Sequence, residues 1–463
     1  MRLDGARLRN HFLGLLLIVL TAGRALADGN EPTQAEGTDP VEFQPYDFRF
    51  QSTYIWQRHS AFGAAYSGPN SLRTESETRS YTLTGTAFMG IRAWQGGEIY
   101  FNPEVTSSES MSDLHGLGGL TNGENQKGGG RDPRFYRARL FARQTWNLGG
   151  GSETVESAPN QLAGMIDKER LVLTIGTLSL IDIFDTNAYA HDPRSQFLNW
   201  AIMAAGAFDF AADTRGYTSG AALEYYLDDW ALRVGRFIQP TESNGQQMDV
   251  HILRHYGDQV EIEHGHQLAG QPGKLRLLAF RNRVQMGGFQ DALDAWAAGG
   301  KIGIPAVADV RRERSKVGWS VNLEQAIGDD AGLFARLSAN DGKSETYAFA
   351  EIERSLSGGV SLKGRRWQRA ADIVGLGLVQ NGLADVHRQY LANGGLGAFI
   401  GDGVPPPGTS YHYAPERVLE MFYNIAVGHG ATAAIDFQRI WNPAYNADRG
   451  PLGVLGVRLH LEF

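Results

Sequence analysis

Hydrophobic and polar positions alternate with period two along most of this chain, which predicts β-strands with one oily and one polar face. In the closing segment Leu455, Val457, Leu459, Leu461 and Phe463 share one face, and Gly456, Arg458, His460 and Glu462 share the other. Within Tyr81 to Arg92, Tyr81, Leu83, Ala87, Met89 and Ile91 oppose Thr82, Thr84, Thr86 and Arg92. After a turn at Gln95-Gly96-Gly97, Ile99, Phe101 and Val105 oppose Glu98, Tyr100, Asn102 and Glu104. Next, Tyr136, Ala138, Leu140, Ala142 and Trp146 are assigned an oily face opposite a ladder of Arg137, Arg139 and Arg143. The same division recurs where Val260 and Ile262 oppose Glu261 and Glu263, and where Leu333, Ala335 and Leu337 oppose Arg336 and Ser338. Glycine and Asn/Asp turns separate these segments, with no helical repeat and no low-complexity block.

The solvent is decided at the other end of the chain. Arg2, Arg7 and Arg9 precede an apolar run from Phe12 to Ala22, and Ala25-Leu26-Ala27 supplies small residues for cleavage, so 1–27 reads as a signal peptide cut after Ala27. That run is too short to span a membrane, and no later stretch reaches the roughly 20 apolar residues a helix needs. Insertion must then use a closed β-sheet, because only helices and closed barrels satisfy every backbone polar group in lipid. The oily faces would meet lipid and the ionic faces line a lumen. Residues 28–45 read as a short periplasmic tail, and 46–463 as one all-β, transmembrane antiparallel barrel in the outer membrane. Leu459, Leu461 and Phe463 are the candidate assembly signal for the barrel-assembly machinery.

Composition fits an exported barrel. The chain has 58 glycines and no cysteine, so it is held by backbone pairing and burial rather than by disulfides. Without four leader arginines and Asp4, 39 basic and 50 acidic residues remain, a mature net charge of -11. That balance argues against nucleic acid as a partner.

Inward Arg and Glu columns are the candidate chemistry. Most such charges can simply balance one another in a wet lumen. The sharper reading is an eyelet in which guanidinium and carboxylate groups pair with sugar hydroxyls and aromatic faces stack on the ring. Arg92, Asn102, Glu104, Arg137, Arg139 and Arg143, with Trp94 and Tyr100, are the candidate substrate-binding residues. Trp146, Tyr225, Tyr226, Trp230 and Trp319 are candidates for interfacial aromatic girdles. Asp182, Asp185, Asn187, His191 and Asp192 carry oxygen ligands at close spacing, but the spacing of a calcium loop is missing and turn chemistry is the simpler account. His255, His264 and His266 match no zinc pattern, which places them at lumen or rim. Neither a metal nor a cofactor is assigned. Gly116 to Gly130 lacks the Gly-Lys-Ser/Thr ending of a phosphate loop and reads as an extracellular loop able to fold inward.

Five segments, Tyr66–Leu72, Tyr100–Glu104, Asn122–Gly128, Phe184–Arg194 and Gln438–Pro451, resemble the carbohydrate-selective porins of Gram-negative outer membranes. The resemblance spans essentially the whole mature chain. It implies sixteen strands, with eighteen as the alternative, passive uptake of glucose and similar sugars, and a charged, aromatic constriction. Monomer and homotrimer both stay open. Two other classes compete: a polysaccharide-export barrel, which would favour a wider lumen of one sign, and a barrel enzyme such as a lipase, for which no nucleophile motif is found.

Overall fold

A computed structural model describes residues 43–463. The proposed signal peptide and most of the tail lie outside the described residues. Sixteen strands close into one antiparallel barrel. They are β1 Tyr46–His59, β2 Glu77–Trp94, β3 Gly97–Glu109, β4 Arg134–Val155, β5 Gly164–Leu178, β6 Thr218–Leu227, β7 Trp230–Phe237 and β8 Tyr256–Leu268. The rest are β9 Gln271–Met286, β10 Arg312–Ile327, β11 Ala331–Asn340, β12 Arg354–Gly364, β13 Arg369–Gly382, β14 Glu416–Gly428, β15 Ala431–Trp441 and β16 Leu452–Glu462. Each strand pairs with its sequence neighbours, and β1 pairs with β16, setting Tyr54 opposite Leu459. Phe50 and Phe463 exchange both backbone hydrogen bonds, at 2.9 and 3.1 Å, which completes the seam. No helix among the described residues is long and apolar enough to cross a membrane.

Turns at the end that carries Tyr46 and Phe463 are short, and connections at the opposite end are long. Outer-membrane barrels keep short turns in the periplasm and long loops outside, which orients the chain. The tight turn at His429-Gly430 shows why glycine is used there: Gly430 has φ +71°, and a Cβ would lie 1.9 Å from the Glu462 carbonyl.

The alternation is realised nearly everywhere. Met89, Ile91, Phe101, Leu333, Leu337, Leu459 and Phe463 are exposed on the outer wall, whereas Thr82, Thr84, Asn102, Glu261, Arg336, Arg458 and His460 are buried inside. Strand β4 departs from it. Asn102 pairs with Arg139 but Pro103 with Arg137, so Ala138 is an extra residue with no partner on β3. Pro103 cannot donate to the ladder, and a bulge changes which side chains face which way. Tyr136 and Ala138 therefore turn inward and Arg137 outward, the reverse of the alternation, while Arg139 and Arg143 stay inward. Tyr226, expected in a girdle, also points inward, where its hydroxyl donates to Glu224 at 2.7 Å.

The connection between β5 and β6, residues 179–217, fills the lumen. Its stretch from Phe197 to Phe210 has Asp209 as its sole charge, so it is too oily to lie in water. Inside the barrel Phe197 meets Phe334 and Phe422, and Phe208 meets Phe280. Each large apolar side chain buried this way contributes about 1.5–3 kcal/mol. Loop backbone groups must still be satisfied, and inward wall residues do this. Glu420 accepts from the Leu198 and Asn199 N–H groups. Arg336 donates to the Ile202 and Ala190 carbonyls and to Asp185. Arg458 donates to the Pro193 and Gln196 carbonyls at 2.7 Å. Asn199 caps the short helix Trp200–Met203 by accepting from Ala201 N–H.

The Gly116–Gly130 loop folds inward as well. Its Asn122 and Glu124 reach Thr82 and Thr84 on the wall, and the Trp200 indole donates to the Asn122 carbonyl at 2.9 Å.

Candidate functional site

With loops occupying much of the lumen, the remaining space runs along the β3–β7 wall as three adjoining cavities. An outer one of about 320 Å³ is bordered by Thr106, Gln126, Tyr136 and Arg215. It shares Gln126 and Arg215 with a middle one of about 310 Å³, which Glu104, Lys127, Arg139, Arg194 and Trp200 line. Asp182 borders both the middle cavity and a third, of about 270 Å³, lined by Arg92, Glu98, Arg143 and Arg170 toward the short-turn end.

The middle cavity carries the charged ring. Arg139, on β4, donates two 2.7 Å bonds to Asp182. Arg194, from the lumen loop, sits 3.2 Å from Glu124 and 3.7 Å from Glu104. Glu104 is further held by the Thr86 hydroxyl at 2.6 Å and by the Tyr136 hydroxyl. Arg139 also lies over the Tyr217 ring at 5.2 Å. Burial works against the charge on Arg194, but Glu124, Asp192 and Glu104 outweigh it and raise the pKa. Burial likewise favours a neutral Asp182, and Arg139 reverses this, holding the carboxyl below its usual range.

Lys127 is the exception. Burial brings its pKa down to about 7 despite Asp209, Glu351 and Asp213 nearby. The ammonium donates to the Ala348 carbonyl and lies 5.1 Å from the Phe399 ring centre. Trp200 stacks flat on Phe349 at 5.1 Å beside it. Paired cations and anions next to aromatic faces give hydrogen-bonding partners to a polyhydroxy solute without a strong net field.

Of the residues expected at the site, Glu104 and Arg139 are in this ring. Arg92 and Arg143 line the third cavity, where Arg92 approaches Glu98 at 3.3 Å and Arg143 donates to the Asn160 carbonyl. Tyr100 is buried against Phe141, its ring unavailable to a solute, and donates to Glu98 at 2.7 Å. Asn102 is fully buried and neither side-chain polar atom has a partner among the described residues. Two expectations are corrected. Arg137 is turned onto the outer wall by the β4 bulge, and its only side-chain bond among the described residues is to Thr177, at 3.4 Å. Trp94 lies half exposed at the β2–β3 turn, over Gly97, where its indole donates to Gln144. Irregular pairing precedes Gly97, between Arg92 and Trp94.

Glu124, Lys127, Asp182, Arg194 and Trp200 are not among the expected substrate-binding residues, although the 116–130 loop that carries Glu124 and Lys127 reads as able to fold inward and Asp182 is weighed as a cation ligand. All five belong to connections, where period-two reasoning assigns no face. The usable signal was the apolar composition of 197–210, which forces burial and carries its neighbours inward. The acidic cluster proves to be turn and clamp chemistry: Asp182 pairs with Ser179 in a capping box, Asp185 with Arg336, and Asp192 with Ser195. His264 stacks on Trp230 at 4.2 Å at the short-turn rim of the barrel.

A sixteen-stranded barrel with an inward loop and a succession of charged cavities along its lumen wall defines an outer-membrane diffusion channel, a porin. The chain belongs to the carbohydrate-selective porins of the OprB family, whose sequence model matches residues 90–463. Among solved structures it is similar to Pseudomonas putida OprB at high pH, with 16% identity, 90% of this chain and 94% of that one covered, and a TM-score of 0.67. Pseudomonas aeruginosa OccK2 (OpdF) is aligned over 91% of this chain and 100% of its own at 10% identity, with a TM-score of 0.43. No curated protein sequence matches the chain. The protein is a porin for passive, carbohydrate-selective diffusion across the outer membrane.

Proposed function

We propose that small neutral sugars, glucose among them, cross through the middle cavity and are held briefly by Glu104, Arg139 and Arg194, with Trp200 and Phe349 forming part of the apolar lining. The observation that carries this is the succession of three adjoining cavities along the lumen wall, which share Gln126 and Arg215 above and Asp182 below. Water competes for the same groups, so binding is weak, in the millimolar range or about -4 kcal/mol. A channel needs that weakness, since a tight site would block exit. The loop-filled lumen suits a monosaccharide or short oligomer rather than an exported polymer, and the channel carries out no chemistry on its cargo.

The same reading includes cleavage of a signal peptide after Ala27, and recognition of Leu459, Leu461 and Phe463 during barrel assembly in contact with outer-membrane lipid. The decisive experiment is planar-bilayer conductance with a panel of sugars. Concentration-dependent closure by a hexose, lost in Arg139→Ala, is the expected result. Conductance indifferent to every sugar would refute the proposal.

A further inference from the structure

The outer wall carries a second feature that sugar passage does not use. Leu356, Gln380, Arg417 and Trp441 sit directly opposite one another across β12 to β15, forming one lateral row. One step toward the short-turn end the row reads Gly358 and Leu378. Gly358 has no side chain to fill the wall between them, and a groove of about 780 Å³ results, walled by Leu356 and Leu378 with Arg417 and Trp441 at its edge. Both leucines are more than half exposed.

Arg417 stands at the long-loop end of β14, so the groove opens at the extracellular leaflet. Its Nε donates to Gln380 at 2.8 Å, and its terminal nitrogens have no partner among the described residues. Arg354 lies above Leu356 at the start of β12, two strands across and two residues along from Arg417, roughly 12 Å by strand spacing and rise. It too has no ion pair among the described residues. Four inward arginines behave differently: Arg139, Arg233, Arg276 and Arg336 each pair with a carboxylate. An unpaired guanidinium at the edge of lipid is poorly solvated unless an anion meets it, and Arg matches phosphate bidentately.

We propose that this groove is a binding site for the phosphorylated, acylated glycolipid of the outer leaflet, with an acyl chain along Leu356, Gly358 and Leu378 and phosphate held by Arg417 and Arg354. The two halves of the site demand one molecule with both chemistries. A free phosphate would leave the groove empty, and a neutral lipid would leave the guanidinium groups unmatched.

The test is native mass spectrometry of the full-length protein in detergent with added bisphosphorylated lipid A. The parent should retain it, whereas the Arg354→Gln/Arg417→Gln double variant should lose roughly tenfold to a hundredfold in affinity, the factor for a charge-assisted hydrogen bond. Gly358→Leu should lose retention with both arginines intact, and Arg137→Gln, on β4, should not. Heat-modifiable migration checks that each barrel is assembled. Should Gly358→Leu fail to assemble, the arginine pair decides alone. Equal retention by the parent and the double variant overturns the proposal. So does equal competition by fully dephosphorylated lipid A or by phosphatidylglycerol.

Discussion

Arg139 and Asp182 are joined by two parallel hydrogen bonds of 2.7 Å between barrel wall and lumen loop, at the place where the middle cavity meets the one below it. One pair thus orders the loop and forms part of the channel lining. Arg139→Ala should weaken sugar block and shift ion preference toward cations while the barrel still assembles. Single-channel recordings with unchanged sugar affinity and unchanged ion preference would rule this pair out of the constriction.

The β4 bulge gives a contrast within the same arginine ladder. Arg137→Ala should leave conductance, sugar block and ion preference at parent levels, because its side chain is outside the barrel. A changed sugar affinity in bilayers would mean that the outward assignment is wrong.

Lys127 should make ion preference respond to pH. Its pKa near 7 leaves it charged at pH 6 and neutral at pH 8, so preference for anions should fall as pH rises through neutrality. Reversal potentials across a salt gradient measure this, and Lys127→Met should flatten the response between those pH values. An unaltered pH response in that variant would assign the titration to another group.

Arg336 and Asp185 form a buried pair that holds the lumen loop. Removing one partner of such a pair strands the other charge, at a cost of about 3–5 kcal/mol. Arg336→Met should therefore lower the heat needed to unfold the barrel and raise single-channel conductance as the loop loosens. Parent conductance together with parent thermal stability would show that the loop is held without it.

Leu459→Arg places a charge against lipid and should destabilise the barrel by about 2 kcal/mol, between the values for the bilayer midplane and the interface. Urea titration in liposomes reads this. Tolerance of Leu459→Arg at parent stability would reverse the two faces of β16.

Period-two alternation by itself determined the strands and, outside β4, the orientation of their faces, because a strand in lipid must present every second side chain to hydrocarbon; the count of sixteen was implied by the family resemblance. It also placed Glu104 and Arg139 inward. Alternation could not register the extra residue at Ala138, since a bulge depends on how two strands pair, and Arg137 was misassigned as a result. Nor could it reach Lys127, carried inward by the Gly116–Gly130 loop, or Asp182, Arg194 and Trp200, whose positions follow from the 179–217 loop, which folds into the lumen and is gripped by Arg336, Glu420 and Arg458 from distant strands. Those contacts join residues more than a hundred positions apart. Only barrel closure brings them together, and so the passage was decided by tertiary structure.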